Sequence, residues 1–309
     1  MPVKKRIRKQ ERQSRRKLLI VLLLVSFLFL LIFGLGKRLL SWARQSSWDG
    51  KSQINLAISQ EDNGILLLVL TPGKQSVLLL SLPANLLVQN SSLGTYQAGK
   101  LALLAEQEGS DNIFAQSLEY TLNIPIDKIG TKKQIRVSET GIDRSVLKQY
   151  FLKQFSFDNW RIWRYLGSSG LTWKTVSLAD YALQKSLPDG SLALELDSLR
   201  LTRDYSDFLT DPLIKNEGLT ISVFNIGFES GTAQKIADLL TNFGVRVVEV
   251  SSLQTDELEQ ADCLLVLSDK ESQRTWLVRR LRRIFDCQTE VGEGSGMGEI
   301  EILVKSVRI

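Results

Sequence analysis

Five arginines within ten residues are the side chains best suited to bind another molecule. They are Arg274, Arg279, Arg280, Arg282 and Arg283. Apolar residues between them recur at helical spacing, which predicts an amphipathic helix with most of the arginines on its polar face. Two interpretations stay open. The face is either an ordinary solvated surface or a docking surface for an anionic polymer, with Arg279, Arg280 and Arg283 as the candidate contacts.

The residue types that are missing exclude several kinds of chemistry. The chain has no histidine, which excludes Ser-His-Asp and Cys-His nucleophilic sites and all zinc sites that contain histidine. Two cysteines, Cys263 and Cys287, are too few for a four-thiolate metal site or an iron–sulfur cluster. They could form a disulfide in an oxidising compartment, but spacing alone does not show this. We favour two small buried thiols in a packed core.

A glycine-rich turn follows the strand predicted at residues 219–225. Its spacing, Gly227-x-x-x-Gly231, matches neither the dinucleotide fingerprint nor the phosphate loop that ends in Gly-Lys-Ser/Thr. We therefore interpret the glycines as residues that permit a tight turn, with Ser230 or Thr232 capping the helix that follows.

These residues must be positioned by the elements around them, and the first element is an N-terminal hydrophobic segment. Residues 18–36 carry no charge over nineteen positions. As a helix they extend about 28 Å, enough to cross a bilayer core. Nine Lys and Arg residues precede the segment and three follow it closely, so we expect the tail at 1–17 to be cytoplasmic and the bulk of the chain extracytoplasmic. A cleaved signal peptide is the alternative, but no clear cleavage site follows.

The N-terminal part of the chain and the remainder carry net charges of opposite sign. Twelve of the 39 Lys and Arg residues and one of the 34 acidic residues lie in residues 1–44, which carry a net charge of +11. The remaining 27 basic and 33 acidic residues give −6. The tail therefore suits anionic inner-leaflet lipid, whereas the rest of the chain is a poor candidate for binding nucleic acid.

Strands and helices alternate after a polar stem at residues 37–51, which predicts an α/β fold. Strands predicted at 53–58, 64–70 and 76–82 are almost entirely apolar. We therefore expect both faces of their sheet to be covered. A turn at Asp211-Pro212 predicts a boundary near residue 216. It separates a domain at 52–215 from a small α/β sandwich domain at 216–309.

An aromatic-rich segment spans residues 143–167. Its rings are Tyr150, Phe151, Phe155, Phe157, Trp160, Trp163 and Tyr165. We favour packing of these rings on the first domain. The alternative is an amphipathic element that touches lipid or a lipid-linked substrate, because Trp and Tyr beside Arg suit a membrane interface.

Two stretches resemble the LytR-CpsA-Psr family of envelope proteins. Residues 65–88, ILLLVLTPGKQSVLLLSLPANLLV, are similar to its strand, turn, second strand and Ser-Ile-Pro-Arg-Asp loop. Gly99-Lys100-Leu101 and Asn123-Ile124-Pro125-Ile126-Asp127 resemble two further motifs, and residues 218–250 resemble the LytR C-terminal domain. The resemblance implies an α/β fold that binds a polyprenyl-pyrophosphate-linked glycopolymer and transfers it to peptidoglycan, with arginines and aspartates holding the pyrophosphate and magnesium.

The sequence departs from that family where the chemistry would lie. The Arg-Asp pair after the proline is replaced by Ala84 and Asn85, an aspartate by Asn63 and an asparagine by Ala102, so that only Lys100 matches. A neutral loop does not readily hold two phosphates and a divalent cation. We therefore predict a relative of the family without catalytic residues, cofactor or metal.

Three residues outside that loop offer an alternative. Arg200, Arg203 and Asp204 could rebuild part of a catalytic site from elsewhere in the chain. The corresponding activity would be a phosphotransferase that attaches lipid-linked glycopolymer to peptidoglycan.

The sequence therefore predicts a non-catalytic, single-pass cell-envelope protein. It would bind or scaffold the assembly of peptidoglycan or an anionic envelope polymer through its LytR C-terminal-like domain. The phosphotransferase is the first alternative. An envelope-related transcriptional regulator is the second, and the acidic, extracytoplasmic bulk of the chain argues against it.

Overall fold

The computed structural model describes residues 48–60, 62–90, 93–108, 110–135, 144–153, 156–227, 231–253, 262–292, 294 and 296–305. The basic tail, the anchor predicted at 18–36 and the stem as far as residue 47 lie outside these described residues. Within them, none of the helices has the length and apolar character needed to cross a membrane.

Among the described residues, nine strands precede residue 200. They are β1 (Ile54–Gln60), β2 (Ile65–Thr71), β3 (Ser76–Leu82), β4 (Leu87–Asn90), β5 (Gly94–Gln97), β6 (Lys128–Ile135), β7 (Thr172–Ser177), β8 (Ala182–Ser186) and β9 (Leu192–Leu196). Five of them form a sheet in the order β6-β1-β2-β3-β7, while β4-β5 and β8-β9 form two small antiparallel pairs. In the large sheet β1, β2 and β3 are antiparallel, and β6 and β7 join its edges in parallel.

Helices cover both faces of this sheet. They are α1 (Ala98–Gln107), α2 (Asp111–Leu122), α3 (Arg144–Lys153), α4 (Phe157–Leu166) and α5 (Ser198–Leu209). One face of the sheet packs against Leu101 of α1, Leu118 of α2 and Leu201 of α5. The other packs against α3 and α4. All seven residues of β2 are buried, which confirms the expectation that its apolar run is covered on both sides.

The aromatic-rich segment forms α3 and α4 of the second layer. Tyr150 and Phe151 are buried in that core, and Trp163 and Tyr165 pack against it. Trp160 is the exception, because 44% of it is exposed. The interpretation that these rings mainly pack on the first sheet is confirmed for the described members, since burying their area is favourable.

A second sheet forms in the last ninety residues. Its strands are β10 (Thr220–Asn225), β11 (Arg246–Ser252), β12 (Cys263–Leu267), β13 (Gln288–Val291) and β14 (Ile300–Val304), in the order β11-β10-β14-β12-β13. The helices are α6 (Pro212–Glu217), α7 (Thr232–Asn242) and α8 (Trp276–Phe285). Ile236 and Leu240 of α7 and Leu277 and Leu281 of α8 fill the core on one face of the sheet. We refer to residues 48–211 as the first unit and to residues 212–305 as the second unit.

Two details of the second unit differ from the predictions. The amphipathic helix predicted around the five arginines begins as the 3-10 turn Ser272–Arg274, and α8 starts only at Trp276, where Thr275 supplies the N-cap. The N-cap of α7 is Gly231 in a left-handed conformation rather than Thr232, and Ser230 lies outside the described residues. A glycine is favoured there because other residues are strained at positive φ.

The two cysteines form a disulfide, so the preference for buried free thiols was wrong. Cys263 opens β12, and Cys287 directly precedes β13, its parallel neighbour. The ladder brings the two Cα atoms to 4.6 Å, within the range that a disulfide requires. The loop between the cysteines contains the whole of α8.

Removing this disulfide should destabilise the second unit. For a sequence separation of 24 residues, the loss of the cross-link should lower the free energy of unfolding by about 3 kcal/mol, because the unfolded chain regains loop entropy. Urea unfolding of the Cys263→Ala/Cys287→Ala variant would measure the effect. The reduced wild type is the control and should match the variant. Equal stability of the oxidised wild type and the variant would contradict the prediction.

Candidate functional site

An arginine of the second unit lies buried between the two units. Arg280 of α8 is 2% exposed. It donates through Nη1 to the main-chain oxygen of Gln53 and through Nη2 to Oδ2 of Asp127 at 2.5 Å. Its burial contradicts the interpretation of a solvated face at this residue, while its role as a candidate polymer contact stays a prediction. Its side chain leaves α8 toward the first unit, where the helix is packed rather than hydrated.

Asp127 is the acceptor for this arginine, and it is almost completely buried. Its Oδ2 also accepts from the main-chain N–H of Asn55 in β1 at 2.8 Å, and its Oδ1 lies 3.2 Å from Nη2 of Arg283. Burial lowers the pKa of Arg280 to about 10, while the charge of Asp127 opposes that shift. The arginine therefore stays charged at neutral pH, as a buried ion pair requires.

A second buried carboxylate closes the junction beside the first. Asp211 accepts from the main-chain N–H of Gln53 at 2.9 Å and from that of Leu213 at 2.9 Å, so it caps α6 and holds the start of β1 at once. Burial raises the pKa of Asp211, and the hydrogen bond from Gln53 and the charge of Arg280 counteract the rise. The turn before β3 also approaches closely here, because a Cβ on Gly73 would lie 2.6 Å from Cγ of Pro212.

The loop that carries Asp127 is held by another acid. Glu119 of α2 accepts from the main-chain N–H of Ile126 at 2.6 Å. Burial raises the pKa of Glu119 to about 8, and the nearby charge of Asp127 adds to the rise. Glu119 is thus protonated in the folded protein at neutral pH, which avoids placing a second anion beside Asp127.

Helix α8 is positioned from its N-terminus as well. Glu217 at the end of α6 accepts from the main-chain N–H groups of Trp276 at 2.5 Å and Leu277 at 3.0 Å. A carboxylate at this end satisfies free N–H groups and interacts favourably with the helix dipole. Together with Asp127, it fixes the direction in which the arginines of α8 project.

The arginines of α8 line a cavity of about 520 Å³ between the two units. The lining residues are Trp48, Asp49, Ser52 and Arg161 from the first unit, and Trp276, Arg279, Arg280 and Arg283 from the second. Four arginines and one carboxylate, Asp49, therefore line the same cavity. A cavity of this size is typical of small-ligand sites, and its charge favours an anion.

The first-unit wall of the cavity is built where the stem joins the fold. Trp48 is 1% exposed, donates through Nε1 to the oxygen of Ser52 at 2.7 Å, and accepts through its own main-chain oxygen from Arg161. Oδ1 of Asp49 accepts from the N–H groups of Lys51 and Ser52 at 2.7 and 2.8 Å, so this carboxylate is partly engaged within its own turn.

Arg279 and Arg283 remain closer to solvent than Arg280. Arg279 is exposed, lies 4.2 Å from the ring centre of Trp276, and donates to main-chain oxygens at the start of its own helix. Among the described residues, no carboxylate pairs with it. Arg282, by contrast, is exposed and does not line the cavity. The structure thus brings the three candidate residues to one site, and their role in polymer binding stays a prediction.

Sequence reasoning missed half of this site. The first-unit wall is separated from α8 by more than a hundred residues, and no spacing in the sequence links the two. The density of Trp and Arg in the segment that became α4 was the available signal for Arg161. The Ile-Pro-Ile-Asp motif marked Asp127, but the motif does not reveal its partner.

The loop that resembles the family's catalytic loop lies elsewhere, at the opposite end of β3. The oxygen of Ala84 accepts from the N–H of Gly99 at 2.8 Å, which places the loop beside exposed Lys100. The side chains of Ala84 and Asn85 offer one neutral amide between them. Asp62, the acid next to Asn63, directs Oδ1 at the N–H of Gly64. This donor set does not fit a pyrophosphate-bound magnesium ion, which requires carboxylates and arginines.

The alternative catalytic residues form a local cluster on α5. Arg203 pairs with its neighbour Asp204 at 3.2 Å, and its side chain is 76% exposed. Arg200 lies 5.0 Å from the ring centre of Tyr181, whose hydroxyl donates to Asp204. These contacts bring the three residues into one surface cluster but do not join them to Lys100.

Several solved structures are similar to this chain. TagT of Bacillus subtilis matches with a TM-score of 0.36 and 12% identity, over 52% of this chain and 91% of that chain. A LytR-CPS2A-psr family protein, YwtF (TagT), with bound octaprenyl pyrophosphate lipid matches with a TM-score of 0.36 and 13% identity, over 53% of this chain and 94% of that chain. The transcriptional regulator yvhJ from Bacillus subtilis matches with a TM-score of 0.38 and 14% identity, over 52% of this chain and 99% of that chain.

These likenesses span about half of the chain. No protein-family model matches the sequence, and no curated protein matches it. At such TM-scores, no residue role, ligand or activity passes from those proteins to this one.

Breaking the buried ion pair between Arg280 and Asp127 should destabilise the folded protein. Arg280→Met and Asp127→Asn should each lower the free energy of unfolding by about 3–5 kcal/mol, because each leaves a buried polar group without its partner. The free energy of unfolding of the double variant should fall by less than the sum of the two single decreases, since the double variant removes both charges. Urea unfolding measures all three. Arg282→Met is the matched control and should change stability by less than about 0.5 kcal/mol. Strictly additive losses would contradict a direct pair.

Glu119 should make stability depend on pH. Because folding raises its pKa from 4.5 to about 8, its contribution is fully present below pH 4.5 and is lost as the pH rises through about 8. The melting temperature of the wild type should therefore fall between pH 6 and pH 9 by more than that of Glu119→Gln, which keeps a neutral, hydrogen-bonding side chain. Parallel curves for the two proteins would contradict this assignment.

Proposed function

We propose that this chain is a non-catalytic, membrane-anchored cell-envelope protein whose extracytoplasmic part binds an anionic envelope polymer. The observation that carries the proposal is the cavity between the units, which is lined by four arginines and a single carboxylate. A concentration of guanidinium groups is unusual in a part of the chain whose net charge is −6, and it creates a local attraction for anions.

The location is supported by two independent features. The apolar segment at 18–36 with its basic tail favours a cytoplasmic N-terminus and an external bulk. The disulfide between Cys263 and Cys287 is stable in an oxidising space and is rare in the cytosol. A direct DNA-binding regulator is disfavoured by the same features.

The non-catalytic assignment is supported by the loop at residues 83–86. Ala84 and Asn85 stand where the resemblance implies an arginine and an aspartate, and the backbone of the loop is tied to Gly99 and Leu194. Without charged groups there, the loop has no means to hold a pyrophosphate or to stabilise its departure. These residues therefore favour a binding function over catalysis of polymer transfer.

Reversing the charge of Arg279 should abolish retention on wall material. The full-length protein in detergent would be mixed with purified walls that carry their anionic polymer and with the same walls after the polymer has been removed by acid. We expect Arg279→Glu to reduce retention on the intact walls at least tenfold, and acid treatment to reduce that of the wild type equally. Arg279 lies in the first turn of α8, where glutamate interacts favourably with the helix dipole, so the variant should stay folded.

Arg282→Glu is the matched control, because this residue lies on the same helix outside the cavity. It should retain wild-type binding apart from a small loss of long-range attraction. Equal retention of Arg279→Glu and the wild type would reject the proposal. Transfer of lipid-linked polymer to peptidoglycan by the purified protein would instead support the phosphotransferase alternative.

A further inference from the structure

We propose that the cavity between the units is a binding site for a terminal phosphate monoester, assembled only when the two units are docked. This inference deepens the polymer-binding function proposed above and rests on it for the source of the group. Each unit contributes four of the eight lining residues, so neither unit holds the site alone.

The cavity carries an excess of positive charge. Four arginines and one carboxylate line it, and the buried carboxylates Asp127 and Asp211 lie beside Arg280. A phosphate monoester carries close to two negative charges at neutral pH, so such a lining attracts it more strongly than a carboxylate or a phosphodiester, which carries one.

The Nε–H group of Arg280 is a buried donor in the lining that lacks an acceptor among the described residues. Both terminal nitrogens of this guanidinium are engaged. An unsatisfied buried donor costs about 1–3 kcal/mol, and more when it is charged. Because Arg280 lines the cavity, a ligand oxygen that reaches Nε there would remove that cost.

The shape of the donor set also favours a phosphate. Arg161 approaches from the first unit, and Arg279 and Arg283 approach from the second. A monoester presents three terminal oxygens in a tetrahedral arrangement and can accept from guanidinium groups on several sides. The two coplanar oxygens of a carboxylate are instead matched by the paired N–H donors of a single guanidinium group.

The position of the stem allows two sources of such a group. Trp48 follows residue 36, the last of the predicted anchor, by twelve residues, which span at most about 40 Å. The cavity beside Trp48 is therefore within reach of a lipid phosphate at the membrane surface. The phosphorylated end of an envelope polymer could also enter it.

Calorimetric titration of the full-length protein in phosphate-free detergent tests the site. We expect glycerol 3-phosphate to bind and glycerophosphoglycerol, its diester counterpart, to bind at least tenfold more weakly, while acetate at equal ionic strength gives no signal. Arg279→Gln should weaken the binding of glycerol 3-phosphate at least tenfold, as the loss of one charged hydrogen bond implies. Arg282→Gln, the matched control, should stay within twofold of the wild type. Absence of binding, or equal weakening in both variants, would overturn the inference.

The outcomes separate this inference from the proposed function. If glycerol 3-phosphate fails to bind while retention on walls still depends on Arg279, the phosphate site is wrong and polymer binding stands. If it binds but walls are not retained, the site stands and polymer binding is wrong. Competition by phosphatidic acid in nanodiscs, but not by phosphatidylglycerol, would assign the group to a lipid. Competition by neither would assign it to a polymer end.

Discussion

The contact between Arg280 and Asp127 is the interaction on which the arrangement of this molecule depends. A guanidinium buried in a protein core is costly unless it is paired and its donors are satisfied. The neighbouring groups satisfy its two terminal nitrogens: the main-chain oxygen of Gln53 accepts from Nη1 and Asp127 accepts from Nη2, while Nε has no partner among the described residues. Protonated Glu119 holds the Asp127 loop without adding a charge. The two units are therefore joined by the hydrogen bonds that Arg280 donates to Gln53 and Asp127 of the first unit.

The same contact determines where the other arginines of α8 project. The helix is held at its N-terminus by Glu217, along its length by Asp127, and beyond its C-terminus by the disulfide at Cys287. A helix held at three points has little freedom to rotate. Arg279 and Arg283 therefore face the stem at Trp48, and the cavity follows from the constraint on Arg280.

Two potential sites in this chain have opposite character. The loop after β3 is well ordered by backbone hydrogen bonds but carries neutral side chains at Ala84 and Asn85. The cavity at the other end of the sheet carries four arginines. Electrostatic binding of an anion needs charge and partial exclusion of water, and only the cavity offers both. This contrast is the physical basis for proposing a binding protein rather than a transferase.

Periodicity and apolar runs were enough to predict the mixed α/β class and most of the elements around β1, β2 and β3, because such patterns depend on local burial. The sequence also singled out the arginines of α8 and excluded histidine-dependent chemistry. The folded structure was needed to show that Arg280 is buried, that Cys263 and Cys287 are joined, and that Trp48 and Arg161 complete the cavity. Those facts depend on which distant segments meet, and a helical period says which side of a helix a residue occupies but not what packs against it.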